Sequence, residues 1–418
     1  MLRSVSLLCF LLYSLVSYSQ PLFEKLQKLP GITIYKLRND HFSEYYELTI
    51  EQLINHKNPQ SKKFKQRIII GFNSFDSSVV MDTDGYGINY ALLPSFKHEL
   101  SSILNSNLII IEHRFFGSSV PDSVDYNFLT TAQAAADVHY IRTLFGTILN
   151  QKWISTGISK GGQAALAHKI NHPDDVDLTI LYGTAVKKNL IENKIDSMLN
   201  FLSATECGRK LALLQTTLLK NKNALITPLD LFIIKNGIDL GKLSREKVLE
   251  FMILELPFSF WQSGAECIDI PYSEESPDQM FRYLCSVISP SFYSSKTLKR
   301  LQPAFYMNYH ELGYYEYNTK KFKGLLSDKN YSNKIFAPQN MQIKFDQTYL
   351  NSVSTFLNTN EAEKVIFIYG EKDPWSSMQS TGKASKYIIK NGSHKSRIVN
   401  MLPTQRNFFD TQIRQYLN

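Results

Sequence analysis

The stretch that most constrains this 418-residue chain runs from residue 151 to 163. There a short strand-like run, Trp153-Ile154-Ser155-Thr156, meets Gly157-Ile158-Ser159-Lys160-Gly161 and then the helix-forming residues 164–170. A strand that turns abruptly into a helix through Gly-x-Ser-x-Gly lifts one serine hydroxyl above the edge of a sheet. The flanking glycines remove Cβ atoms that would collide in so tight a turn. The five-residue pattern alone is weak, because Gly and Ser are common and a plain βα turn can carry the same letters. Its strand–turn–helix setting is what makes Ser159 the candidate nucleophile.

The neighbouring segments extend that alternation. Leu108-Ile109-Ile110-Ile111 is uninterruptedly apolar, as a strand buried on both faces must be. Residues 131–149 carry apolar side chains at helical spacing behind a Thr start, and residues 178–183 read as the next strand. Strand, helix, strand, turn, helix, strand predicts an α/β fold with a mainly parallel sheet and helices on both faces. Upstream, residues 41–50 resemble an edge strand, and residues 67–72 and 79–81 suit a hairpin or adjacent strands. From about 187 to 330 the alternation stops and long helical patterns dominate, with the aromatic cluster Pro257-Phe258-Ser259-Phe260-Trp261. Sheet character returns at residues 364–370. The expected organisation is a hydrolase-type domain from residues 21–186 and 331–418, with residues 187–330 as a helical cap over the sheet's C-terminal edge.

Asp373 follows the strand at 364–370, with Glu371 as second choice. Of nine histidines, His394 alone lies beyond it, in the loop Asn391-Gly392-Ser393-His394. Ser, then acid, then His, each just past a strand end, is the chain order of an α/β-hydrolase triad. His394 would take the proton of Ser159, and Asp373 would hold the ring tautomer and stabilise the imidazolium. The oxyanion would meet the N–H of Lys160 and one N–H from an earlier glycine loop, at Gly85 or Tyr86. The Lys160 side chain reads as a solvent-exposed spacer. Glu112-His113-Arg114-Phe115-Phe116-Gly117 lies where the strand at 108–111 ends, so either Glu112, Arg114 and Phe116 line a substrate cleft or Glu112 and Arg114 form an internal pair that fixes the loop.

Composition narrows the alternatives. Residues 1–20 combine Arg3, an apolar run from Leu7 to Val16 and a small-residue finish, which is the pattern of a secretory signal peptide. Its core of about ten residues falls short of the ~20 that span a bilayer, so no stable membrane insertion is expected. The formal charge of +8 is spread along the chain without a block of like charges, which gives no ground for nucleic-acid binding. Of four cysteines, Cys9 falls in the leader. Cys207, Cys267 and Cys285 allow at most one disulfide, and Cys267 with Cys285 closes the shortest loop. His168 and His172 stand four apart, but no Glu follows His168 and Pro173 ends the helix there, so neither a metal nor another cofactor is expected.

Several phrases carry a family resemblance: Ile111-Glu112-His113-Arg114-Phe115-Phe116-Gly117, Trp153 through Gly162, Tyr369-Gly370-Glu371-Lys372-Asp373-Pro374-Trp375, and Gly392-Ser393-His394-Lys395-Ser396. They resemble the secreted bacterial prolyl tri/tetrapeptidyl aminopeptidases and, more loosely, the prolylcarboxypeptidase and dipeptidyl peptidase II group. The resemblance implies a serine exopeptidase acting on peptide substrates, with Ser159, Asp373 and His394 as its triad. One departure stands out: where the family's oxyanion loop has Val-Thr-Glu-Gly-Tyr, this chain has Met81-Asp82-Thr83-Asp84-Gly85-Tyr86, with the acid shorter by one methylene. An aromatic proline pocket is expected from Trp261, Phe260, Trp375 and Phe116, and a carboxylate for the substrate amine from Glu206 or Glu266. A carboxylesterase, a carboxypeptidase acting after proline and a non-catalytic binding protein on the same fold remain open.

Overall fold

A computed structural model describes residues 22–272 and 274–417. The expected signal peptide lies outside the described residues. Nine strands form one sheet: β1 (Ile32–Lys36), β2 (Glu44–Leu53), β3 (Lys63–Phe72), β4 (Val79–Thr83), β5 (Asn107–Ile111), β6 (Trp153–Ile158), β7 (Leu178–Tyr182), β8 (Val365–Gly370) and β9 (Ser385–Ile389). Their order is β1-β2-β3-β5-β4-β6-β7-β8-β9. The first three pair antiparallel, β3 meets β5 antiparallel, and every pairing from β5 to β9 is parallel. An antiparallel lead-in to a parallel sheet, crossed over by helices and with the candidate serine on the turn after β6, is the α/β-hydrolase fold.

Side-chain alternation explains why both faces are covered. On β5, Leu108 and Ile110 join the core cluster shared with Leu100 and Phe409, while Ile109 and Ile111 join the cluster shared with Leu22, Ile141 and Phe145. Helices α1 (Leu22–Leu26) and α3 (Thr131–Gly146) therefore cover one face, and α2 (Glu99–Leu104) and α12 (Pro403–Leu417) the other. Helix α4 (Lys160–Asn171) follows the serine turn and packs with α11 (Thr348–Phe356).

Two strand expectations are corrected. The edge is β1, whose residues are part-exposed or exposed, and the run at 44–53 is an inner strand paired on both sides. Strands β3 and β4 are neither a hairpin nor neighbours, because β5 inserts between them. Local pattern identifies a strand but not the partner that burial of both faces selects.

Between β7 and β8 the chain builds the helical region: α5 (Lys194–Ser203), α6 (Glu206–Lys220), α7 (Lys222–Lys235), α8 (Arg245–Ser263), α9 (Pro277–Val287) and α10 (Ser295–Met307). These share a separate core that includes Leu214, Leu218, Phe251, Met252 and Phe260. It continues past residue 330 to Tyr331, Phe336 and Ala337. The disulfide joins Cys207 to Cys267 with Cα atoms 5.5 Å apart, and Cys285 is free. The expected Cys267–Cys285 bridge fails because loop length does not report which helices pack together. No helix among the described residues is long and apolar enough to cross a membrane.

Candidate active site

Ser159 sits at φ 55°, ψ −116°, a backbone conformation that a residue with a Cβ rarely adopts. It persists because the turn is held from several sides. The Ser159 N–H donates to Tyr182 O at 2.8 Å, and its carbonyl accepts the Gln163 N–H at 3.1 Å, starting α4. Helix α4 can approach β4 only because residue 161 is glycine: a Cβ there would lie 2.5 Å from Thr83 O.

Strand β8 delivers Asp373, fully buried, whose Oδ1 accepts the Trp375 N–H at 3.2 Å. Its Oδ2 stands 2.6 Å from His394 Nδ1. A carboxylate at Nδ1 favours the tautomer with the proton there and leaves Nε2 as the basic nitrogen. His394 follows β9, and its backbone N–H donates to Gln262 O on α8 at 3.0 Å, so that helix helps position the histidine loop. Beneath the pair lies Gly183 at φ 53°, where a Cβ would fall 2.8 Å from the His394 ring. Glu371, the alternative acid, accepts the Asn391 N–H at 2.7 Å and is exposed.

Ser159 and Gly183 open into a cavity of about 490 Å³ between the sheet edge and the helical region, lined also by Tyr86, Lys160, Lys187, Glu255, Phe258, Ser259, Gln262, Tyr315 and Trp375. Glu255, Phe258, Ser259 and Gln262 recur at i, i+3, i+4 and i+7 along α8 and so share one face. Phe258 stacks on Tyr315 at 4.3 Å, and Trp375 meets Phe258 edge-on at 5.3 Å. Glu255 is held by the hydroxyls of Tyr315, Tyr317 and Ser259 at 2.7, 2.8 and 2.9 Å. Burial pushes its carboxyl up from the usual range, and those hydroxyls oppose the shift. It is the acidic residue among those lining this cavity.

Several candidates lie elsewhere. Trp261 packs edge-on against Phe260 on another face of α8, and neither lines the cavity. Glu206 pairs with Lys210 at 3.1 Å on the cap surface, and Glu266 is exposed outside the cavity. Glu112 and Arg114 are fully buried and do not pair with each other. Glu112 binds Arg67, the N–H groups of Ile88 and Ser118, and the Ser119 hydroxyl. Arg114 forks onto Asp137 at 2.6 and 2.7 Å and donates to the carbonyls of Leu53, Ile54 and Phe128. Both therefore fix the loop rather than reach the cleft. Phe116 lies beside the cavity, 5.3 Å edge-on from Tyr86.

Lys160 is not a surface spacer. Its side chain is buried, Nζ donates to Gly85 O at 2.8 Å, and it lies over the Phe116 ring at 4.8 Å. Burial lowers its pKa to about 7, against the pull of Asp84 and Glu311. Asp84 is spent within its own loop. It accepts the Tyr86 N–H at 2.6 Å and the Tyr90 hydroxyl at 2.7 Å, and burial with Asp82 nearby raises it to about 6. The Tyr86 N–H, one of the proposed oxyanion donors, is thus shared with Asp84. Away from the cavity, His139, His172 and Asp175 place ligand-capable atoms within 4.8 Å of one another. His168 joins them through Asp175 at 2.7 Å, and the His139 and His172 rings stack at 4.0 Å.

Likeness to known proteins extends over nearly the whole chain. The family described as PS-10 peptidase S37 matches residues 20–416. A prolyl tri/tetrapeptidyl aminopeptidase of Streptomyces mobaraensis is 25% identical over 92% of this chain and 82% of its own length. A lysosomal Pro-X carboxypeptidase of Bos taurus is 28% identical over 40% of this chain and 37% of its own. The Homo sapiens protein of that name is 30% identical over 31% and 29%.

Proposed function

The chain belongs to the PS-10 peptidase S37 family and is a serine peptidase, and from that membership we propose a secreted exopeptidase that releases tri- and tetrapeptides ending in proline from the N-termini of peptides. The observation that carries the reading is Glu255, a carboxylate deep in an aromatic-walled cavity that Ser159 also lines. A substrate α-ammonium there would gain a charge-assisted bond in a poorly solvated site. Phe258, Tyr315 and Trp375 offer flat walls to a pyrrolidine ring, whose fixed φ and missing N–H make it a preorganised ligand. In this reading Phe258 and Tyr315 take the role expected of Phe260 and Trp261, beside the expected Trp375. Export rests on the leader pattern of residues 1–20.

In this mechanism Ser159 Oγ attacks the proline carbonyl as His394 Nε2 takes its proton, and Asp373 stabilises the imidazolium. The Lys160 N–H and the loop of Gly85 and Tyr86 receive the oxyanion, Asp84 competing for the Tyr86 N–H. His394 then gives its proton to the leaving amine, and the acyl-enzyme ester is hydrolysed by water that His394 deprotonates. A second reading, a carboxypeptidase acting after proline, is favoured by Lys187 in the same cavity, whose ammonium would suit a terminal carboxylate.

Ala-Ala-Pro-p-nitroanilide and its N-acetylated form test the choice. The free amine should be hydrolysed at least about 10-fold better in kcat/KM, and Glu255→Gln should remove about 10–100-fold from the free form alone, as a lost charged hydrogen bond of roughly 1.5–3 kcal/mol requires. Equal cleavage of both substrates, or a peptide that shortens from its C-terminus by mass, sinks the aminopeptidase reading.

A further inference from the structure

Beside the cavity of Ser159 lies a larger groove of about 1090 Å³, and nothing in the mechanism above uses it. One wall is the loop region of Tyr86, Tyr90, Phe116, Val120 and Val124; the other is helix α10. Two residues, Tyr86 and Leu301, line both spaces, so the groove adjoins the cavity beside the candidate oxyanion loop. Helix α10 divides its side chains accordingly. Ala304 and Phe305 face the cavity, while Lys299, Arg300, Gln302 and Pro303 face the groove. Tyr90, Val120 and Val124 are 41%, 42% and 52% exposed, an apolar run at the surface that the fold does not cover.

The groove has fixed walls. Tyr126 stacks on Tyr306 of α10 at 5.0 Å and its hydroxyl donates to Gln302 Oε1 at 3.3 Å, which ties the cap helix to the hydrolase side. Its charges are unequal. Lys299 and Arg300 stand exposed on one side, and the carboxylate on the other, Asp125, already accepts the Asn127 N–H at 3.0 Å.

We infer that this groove binds the leaving portion of the substrate: the extended, apolar polypeptide segment on the C-terminal side of the scissile proline bond, with a carboxylate-bearing residue favoured opposite Lys299 and Arg300. The inference rests on the exopeptidase reading. If the α-ammonium is held at Glu255, the rest of the chain must leave the cavity toward the surface, and the groove is the apolar space that adjoins it at Tyr86 and Leu301. A strand-like peptide there would cover the exposed valines and tyrosine, burying apolar area that the acyl portion cannot reach. No chemical step is added: the groove binds the segment that departs with the amine.

The experiment compares three substrates sharing one acyl portion: Ala-Ala-Pro-p-nitroanilide, Ala-Ala-Pro-Ala-amide and Ala-Ala-Pro-Leu-Phe-Glu-amide. For the wild type, kcat/KM should rise about tenfold from the short amide to the long one, equivalent to about 1.4 kcal/mol. Val124→Asp and Arg300→Glu should each erase that gain while leaving anilide hydrolysis unchanged. Replacing Glu by Lys in the long substrate should restore part of it to Arg300→Glu. Variants that lower all three substrates equally, or a wild type indifferent to leaving-segment length, overturn the inference while the exopeptidase reading stands. A wild type that leaves all three intact overturns both.

Discussion

Gly183→Ala is the most exacting test of the candidate site, because it adds one methyl group at the base of the Asp373–His394 pair. The new Cβ would lie 2.8 Å from His394 Cε1 and Nδ1 and 3.5 Å from Asp373 Oδ2. Carbon atoms in contact sit at about 3.5–4.0 Å, so the imidazole must retreat by roughly 0.7 Å or more. Such a retreat stretches or breaks the 2.6 Å bond between His394 Nδ1 and Asp373 Oδ2. Misplacing a reacting group by about 1 Å costs about 10²-fold in rate. The φ of 53° adds about 1–2 kcal/mol of backbone strain, worth a few degrees in Tm. We expect kcat on the free-amine anilide to fall about 100-fold with KM little changed, and labelling by a fluorophosphonate probe to slow in parallel. Gly237→Ala is the control: φ is 58°, but nothing lies within 4 Å of its added Cβ, so it carries similar strain without touching the histidine. Wild-type kcat in Gly183→Ala, or an equal loss in Gly237→Ala, refutes the reasoning.

Two other expectations follow from the cap and its seat. Cys207→Ser opens a 60-residue loop and should cost about 4 kcal/mol by chain entropy, seen as a lower Tm that reductant no longer changes. Cys285→Ser, at a half-buried thiol whose pKa burial pushes up to about 12, should leave Tm nearly unchanged. Glu311 accepts from Thr131 N and Oγ1 at 2.5 and 3.1 Å, and burial raises its carboxyl from 4.5 to about 7. A raised pKa means the folded protein favours the neutral acid. The stability this group supplies is full below pH 4.5 and lost as pH rises through about 7, to a limit of about 3 kcal/mol. Glu311→Gln should therefore flatten the fall in Tm between pH 5 and pH 8; an unchanged fall assigns it to another group.

The sequence makes legible what local chemistry encodes. A uniformly apolar run such as Leu108-Ile109-Ile110-Ile111 suits a strand buried on both faces. The turn at Ser159 needs glycine neighbours, and a histidine that is alone beyond Asp373 leaves little choice of partner. These signals are short-range or a matter of order along the chain, and they located the elements and the residues of the candidate triad. Local chemistry does not encode which surfaces meet. Phe260 and Trp261 are aromatic and adjacent in sequence, yet the helical phase of α8 turns Glu255 and Phe258 to the cavity instead. The i, i+3, i+4, i+7 spacing of Glu255, Phe258, Ser259 and Gln262 was the available signal.

The sequence by itself determined that a strand–turn–helix would hold Ser159 in strain, because glycine placement and hydrophobic period act within a few residues. Only the tertiary structure decided that β5 separates β3 from β4, that Cys207 and not Cys285 meets Cys267, and that Glu112 and Arg114 serve the fold. Each of those outcomes is a pairing between distant segments. Burial sets such pairings by competition among all partners at once, and no single stretch of chain contains the terms of that competition.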